Sequence, residues 1–279
     1  MSDQSKSHPL RQFYEIEGMK FPQHRFSPFR VDQVMKDYEE AIHAFHVKMN
    51  DGILLPRQIG QVKNILDVGT RWGAWAMEAA ETHKETSVIG MDFTPIQPYH
   101  APMNSISYVV DANQRKWGWC NRFDYIRCCR MDGDIENWEV AFQAASVCQR
   151  EGGFIEYSSD FYHPLDSAAV PYGIWCEWLQ ALDALRDVKG LSFDIDEKDR
   201  ARQLETAGYN IKSLTKRAIE VKPGQFDHYG VDVLRGFFER MKGIFVRGLE
   251  QGRHPVNRRR ELVCQLEEYV LQRGLLIEV

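Results

Sequence analysis

The chain is short of the features that mark several protein classes. No apolar run reaches the ~20 residues that a membrane-spanning helix needs, so membrane insertion is not expected. The opening "MSDQSKSHPL" is polar and has no apolar stretch of the kind found in secretory leaders. A cytoplasmic protein is the expectation. The six cysteines are Cys120, Cys128, Cys129, Cys148, Cys176 and Cys264, and none forms a CxxC pair. Adjacent Cys128 and Cys129 on a strand would point to opposite faces. Reduced, mostly buried thiols and no zinc site are expected. His43 and His46 have helical spacing but no third ligand near in sequence, so they read as ordinary helix residues. A large excess of one charge is also missing. With 35 basic and 40 acidic residues the net charge is −5. A broad attraction to nucleic acid or anionic membrane is therefore excluded. The run Arg258 to Arg260 is followed by Glu261, Glu267 and Glu268 and reads as a solvated helix face.

What is present suits a globular protein: 279 residues, 43% hydrophobic and 27% charged. That is one large domain, or a domain with an insertion. Residues 1–30 carry Pro9, Pro22 and Pro28 and read as an irregular arm or lid. Residues 31–50 place Val34, Tyr38, Ile42, Phe45 and Met49 at helical spacing. Asn50-Asp51-Gly52 ends that helix. Strands then alternate with helices. Strands are predicted at 64–68, 87–93, 106–112, 123–129 and 154–160, with helices at 74–83 and 136–149. Such alternation predicts an α/β fold, a mostly parallel sheet with helices on both faces. Beyond residue 160, helices are predicted at 170–187, 197–207, 231–248 and 257–273, with a strand or strand pair over 209–221. The expected organisation is an arm and a single domain over 31–279. Its core is 61–160, and a helical cap and sheet completion follow over 161–279.

Ligands bind such sheets at the carboxyl ends of the strands. The first strand runs into "ILDVGTRWGAW", where Gly69 opens a turn and a helix begins at Ala74. The middle of that turn carries Arg71 and Trp72 where another glycine is expected. Asp92 closes the second strand, 23 residues after Gly69, and Asp111 closes the third. An ionised carboxylate only accepts hydrogen bonds, so Asp92 suits ribose hydroxyls and Asp111 an adenine edge. The fourth strand is followed by Arg130, Asp132 and Asp134, and the fifth by Ser159, Asp160, Tyr162 and His163. No G-x-x-G spacing or P-loop lysine follows the turn, which weighs against dinucleotides and nucleoside triphosphates.

The segments "ILDVGTRWGAWAMEAA", "VIGMDFTPIQP", "VVDANQRKW", "FDYIRCC" and "REGGFIEYSSD" follow one another as in class I S-adenosylmethionine-dependent methyltransferases. The chain resembles the LaeA-like fungal branch, with "DFTPIQP" the most specific match and "HVKMNDGILLP" and "VKPGQF" in support. The resemblance covers about residues 30–250 and implies a Rossmann-like methyltransferase fold with helical additions at both ends. It implies S-adenosylmethionine as cofactor. Asp67, Gly69 and Gly73 match the cofactor loop, Asp92 the ribose-binding acid, and Asp111-Ala112 the adenine-contacting pair. Arg71 and Trp72 depart from the pattern. The family glycine lets backbone approach the cofactor without a Cβ in the way.

Three functions compete. The first is a methyltransferase acting on a small apolar natural product of fungal secondary metabolism. His163 is then the candidate base, beside Tyr162 and Asp160. The second is a methyltransferase fold that no longer transfers methyl groups and acts as a cyclase of the Diels–Alder type, with Arg71 as a fixed cation near a carbonyl. Trp72, Tyr157 and Trp175 are candidate pocket walls, together with Trp117, Trp119, Phe161, Tyr172 and Trp178. The third is a non-catalytic regulatory partner. Retained Asp92 and Asp111 put the methyltransferase first.

Overall fold

The computed structural model describes residues 12–279, apart from 24, 57–58, 166–172, 192, 194–195, 226 and 229–230. The expected Tyr172 wall lies outside the described residues. Within the described part of the expected irregular arm, residues 13–22 form a hairpin, β1 (Phe13–Ile16) and β2 (Met19–Pro22). Glu17 and Gly18 form its two-residue turn, both with positive φ, as a tight hairpin requires. Helix α1 (Gln33–Met49) follows, with the Asp32 carboxylate accepting from the Met35 N–H at its start.

The central sheet is built from β3 (Asn64–Val68), β4 (Ser87–Asp92), β5 (Ser105–Val109), β6 (Phe123–Cys129) and β7 (Gln149–Ser158). Helix α2 (Ala74–Thr82) follows β3 and α3 (Trp138–Cys148) follows β6. All five strands run parallel, in the order β5-β4-β3-β6-β7. The order reverses beside β3, so β3 and β6 flank the switch point where such sheets bind ligands. The inner strands β3, β4 and β6 are buried over most of their length, as a sheet covered on two faces demands, whereas the edge strand β5 is exposed. Ile65 packs with Trp75, Ala76 and Tyr125 on one face, and Leu66 with Ile126, Phe142 and Trp138 on the other.

The remainder forms the cap. It comprises β8 (Phe161–Pro164), α4 (Ile174–Lys189), α5 (Glu197–Thr206) and β9 (Ala218–Val221). Then come β10 (Asp227–His228), β11 (Val231–Asp232), α6 (Val233–Gln251), α7 (Val256–Arg273) and β12 (Leu275–Glu278). The segment does not extend the parallel sheet as expected. Instead β8, β12 and β9 form a separate antiparallel sheet. Only 218–221 of the expected strand region 209–221 is strand. Helix α6 is the cap's central rod, packed by α1, α4 and α7. Phe237, Phe238, Met241, Phe245 and Leu249 are all buried along it.

The α4–α6 packing is close at Gly248, where an added Cβ would lie 2.3 Å from the Ala181 carbonyl oxygen. Backbone cannot yield as a flexible side chain would. Gly248→Ala is therefore expected to cost about 1–3 kcal/mol, read as a lower urea midpoint. An unchanged midpoint would mean the two helices do not approach this closely.

Candidate functional site

At the carboxyl ends of β3 and β6, the backbone bends through left-handed conformations. Gly69 and Gly73 have φ of 69° and 82°, and Arg71 between them has φ of 52°. Arg71 thus holds the left-handed geometry that glycine adopts freely, at ~1–2 kcal/mol for an L-residue. The loop is pinned from the next strand. The Gly69 and Thr70 N–H groups donate to the Met91 carbonyl, and the Arg71 N–H donates to Asp92 Oδ2 at 2.9 Å. Asp92 Oδ1 accepts from the Thr94 N–H at 2.9 Å. Burial pushes the Asp92 carboxyl up to about 6, against the pull of those two N–H groups and the Arg71 charge.

Asp92 opens onto a crevice lined by Gly69, Phe93, Ala112, Met131, Asp134 and Arg25. Asp111 borders it and accepts from Arg25 Nη1 at 2.8 Å. The expected cofactor residues Gly69, Asp92, Asp111 and Ala112 are thus gathered in one place. Gly73 starts α2 nearby. Asp67 is one step back, buried and paired with Arg127 at 3.0 Å. The crevice is nearly full. Its cavity volume is about 10 Å³, room for about one water molecule. The Met131 thioether fills the space over Gly69, 2.7 Å from where a Cβ would sit. Arg25 fills the mouth.

Beyond the crevice lies a buried ionic cluster. Arg71 reaches the Arg130 carbonyl with Nη2 at 3.2 Å and Asp134 at 3.7 Å. Arg240 reaches the same carbonyl at 3.0 Å and Glu39 at 2.9 Å. Arg130 is itself left-handed, with φ of 57°. That turn aims its carbonyl at two guanidiniums. The Phe29 ring lies against both Arg71 and Arg240, 4.3 and 4.8 Å from their guanidinium carbons. Arg130 Nη1 is buried without a hydrogen bond, 3.9 Å from Glu39. Burial alone would lift the Glu39 carboxyl, but Arg240, Arg71 and Arg130 hold it below its usual value.

Asp160 joins this cluster through a residue read from sequence as ordinary. His46 Nε2 lies 3.2 Å from Asp160 Oδ2. Burial pushes the Asp160 carboxyl up, yet His46, Arg130 and Arg240 outweigh it and bring it to about 2. Asp160 Oδ1 and the Tyr162 hydroxyl are buried with no hydrogen-bond partner. Burial raises the Tyr162 phenol above its usual range. Phe237 packs near both, with ring centroids 6.2 Å from His46 and 5.9 Å from Tyr162.

The structure does not bring the expected base to this place. His163 lies on β8 beside Tyr162, and neighbours on a strand face opposite sides. Tyr162 points inward, whereas His163 pairs with Glu278 of β12 at 3.1 Å and is partly exposed. The expected pocket walls are also dispersed. Trp72 and Trp175 are buried in the cap core, as is Trp178, and Trp117 is buried beside the central sheet. Tyr157 donates to Asp132 and stacks under Arg200, where α5 meets the sheet. The sequence places Arg130 at a strand end without assigning it a role. It does not single out Arg25, Glu39 and Arg240, whose significance appears only through partners distant in the chain.

The chain matches the methyltransferase domain family over residues 43–214. It is 33% identical over 203 residues to the methyltransferase pytC of Aspergillus terreus, covering 71% of this chain and 61% of that one. It is 24% identical over 249 residues to the secondary metabolism regulator laeA of Aspergillus flavus, covering 84% and 64%. The 4+2 cyclase SpnF has a TM-score of 0.42 and 15% identity over 77% of this chain and 73% of its own, too distant to speak for an activity. This chain belongs to the class I S-adenosylmethionine-dependent methyltransferase family, in its LaeA-like fungal branch. It spans about three fifths of the length of the curated relatives pytC and laeA.

The two site carboxylates should titrate with opposite effects on stability. Asp92 is raised from 3.8 to about 6, so the folded chain holds its proton more tightly. Its contribution is full below pH ~4 and falls by about 3 kcal/mol as pH rises to ~6. Asp160 is lowered from 3.8 to about 2, so its contribution is full above pH ~4. It falls by about 2 kcal/mol as pH drops to ~2. Urea unfolding across pH 2–7 should show each slope vanish in Asp92→Asn and Asp160→Asn respectively. Slopes that persist in the variants would assign them to other groups.

Proposed function

We propose that this chain is an S-adenosylmethionine-dependent methyltransferase acting on a small apolar natural product of fungal secondary metabolism. The observation that carries the reading is the convergence of Asp92, Asp111, Phe93 and Ala112 on one crevice. Those groups offer two carboxylate acceptors, an aromatic face and a small residue, a set that suits a nucleoside. The set is filled by the chain's own Arg25 and Met131, both flexible side chains, so the chemistry fits while the closed shape does not admit the group.

Asp92 is assigned to the ribose hydroxyls, and Asp111 with Ala112 to the adenine edge. Gly69 and Gly73 are assigned to the loop that lets backbone approach the cofactor. The cofactor, when bound, supplies an electrophilic methyl group. The chain's own part is to orient an acceptor and take its proton. The His46–Asp160 pair suits that task. The Asp160 carboxylate, 3.2 Å from Nε2, fixes the orientation of the ring. Phe45 and Phe237 supply apolar surroundings, with ring centroids 5.3 Å apart. The buried Tyr162 hydroxyl and Arg130 Nη1 remain for a polar atom of the substrate. His163 is not assigned a role in this scheme.

A second reading has its own observation. The crevice holds about 10 Å³, and Arg71 is a buried, fixed cation beside Arg240. A cofactor-free cyclase would use such a donor to polarise a carbonyl of a substrate folded against it. Calorimetric titration with S-adenosylmethionine and S-adenosylhomocysteine separates the two. The methyltransferase reading expects micromolar binding, about −8 kcal/mol. It also expects Asp92→Asn to weaken binding at least tenfold, since hydrogen bonds to a charged acceptor contribute about 1.5–3 kcal/mol. If neither the wild-type chain nor an Arg25→Ala variant binds either compound, the cyclase reading takes its place.

A further inference from the structure

We propose that Arg25 is a built-in occupant of the adenine subsite, and that residues 25–29 form a strap which must withdraw before a nucleoside binds. This rests on the methyltransferase reading above and adds to it a competitor carried by the chain itself.

The contacts of Arg25 are those an adenine would use. Its guanidinium carbon lies 4.9 Å from the centroid of the Phe93 ring. Nη1 donates to Asp111 Oδ1 at 2.8 Å, and Nη2 donates to the Asp134 carbonyl at 2.5 Å. Nη2 also lies 3.5 Å from Glu136. A guanidinium is flat, covers an aromatic face and presents N–H groups in its own plane. An adenine is likewise flat, with an amino group at its edge. Both cannot occupy Phe93 and Asp111 together.

Charge explains why a cation rests there. Asp92, Asp111, Asp134 and Glu136 surround the crevice. Arg71 answers part of that charge from within, and Arg25 from the mouth. The strap is tied at both ends. The Gln23 N–H donates to the Gln12 carbonyl and the Val31 N–H to the Lys20 carbonyl, joining it to the hairpin. Arg30 binds Asp32 and Glu239 at 2.8 and 2.6 Å. Between these ties, side chains hold the strap down. Ser27 Oγ donates to Asp134 Oδ1 at 2.8 Å, and Phe29 packs against both Arg71 and Arg240. The Arg25–Asp111 pair is itself partly open to solvent, with Asp111 28% exposed.

The test is titration of the full chain and its Arg25→Ala and Arg25→Lys variants with S-adenosylhomocysteine and S-adenosylmethionine. Thermal unfolding checks that each variant is folded. Arg25→Ala should bind both compounds at least tenfold more tightly than wild type. S-adenosylmethionine, which carries the extra sulfonium charge, should gain more than S-adenosylhomocysteine. Arg25→Lys should lie between. In the wild-type chain, saturating S-adenosylhomocysteine should speed amide hydrogen exchange over residues 25–29. Equal affinities in all three chains would overturn the strap and leave the methyltransferase reading standing. Weaker binding by Arg25→Ala, or slower exchange over 25–29, would make the segment part of the binding site and overturn the strap. No binding by any folded chain would remove both.

Discussion

The cap is organised by charges that cannot reach water. Helix α6 lies in the middle of the cap yet carries Glu239, Arg240 and Arg247, each about 4% exposed. Removing a partner from such a charge costs far more than the pair contributes. Arg240 therefore dictates what lies near it: Glu39 from α1, the Arg130 carbonyl from the end of β6, and the Phe29 ring from the strap. Glu239 binds Arg30 in the same way. These contacts tie the N-terminal segment, the cap and the parallel sheet together across about 200 residues of chain. They also set the shape of the site, because the same Arg130 carbonyl receives Arg71 from the altered glycine loop.

Seen from that constraint, Arg71 is less an intrusion than a member of the cluster. Its backbone holds the left-handed geometry that glycine adopts freely, and Asp92 accepts its N–H. Its side chain leaves the loop for Phe29, Arg130 and Asp134. Strained residues persist where surrounding contacts over-determine them. Here two such residues, Arg71 and Arg130, meet through one hydrogen bond. The methyltransferase family supplies the frame, and the arginines give this member a more cationic interior than the glycine loop implies.

The order of the parallel strands explains why the crevice forms at all. With β3 and β6 on either side of the reversal, neighbouring connections leave in opposite directions and open a gap. Asp92, Asp111 and Asp134 all follow strands at that edge. Here the chain's own N-terminal segment has come to lie in it.

Much of the fold was legible in the residues themselves. The five parallel strands announce themselves as short apolar runs between turn signals, and strand 123–129 falls where the pattern puts it. Asp32, Asn137, Asp196 and Asp232 start four helices by local side-chain capping, a signal written within three residues. The positions of Asp92 and Asp111 at successive strand ends followed from the same local pattern. What the sequence could not decide were pairings between distant segments. The sheet β8-β12-β9 joins residues over 100 positions apart. His46 meets Asp160 across 114 residues, and Arg25 meets Asp111 across 86. Periodicity reports which face of an element is apolar, not which other element will cover it. By that rule His46 was a helix residue and His163 a neighbour of Tyr162. Only packing turned the first toward Asp160 and the second away to Glu278.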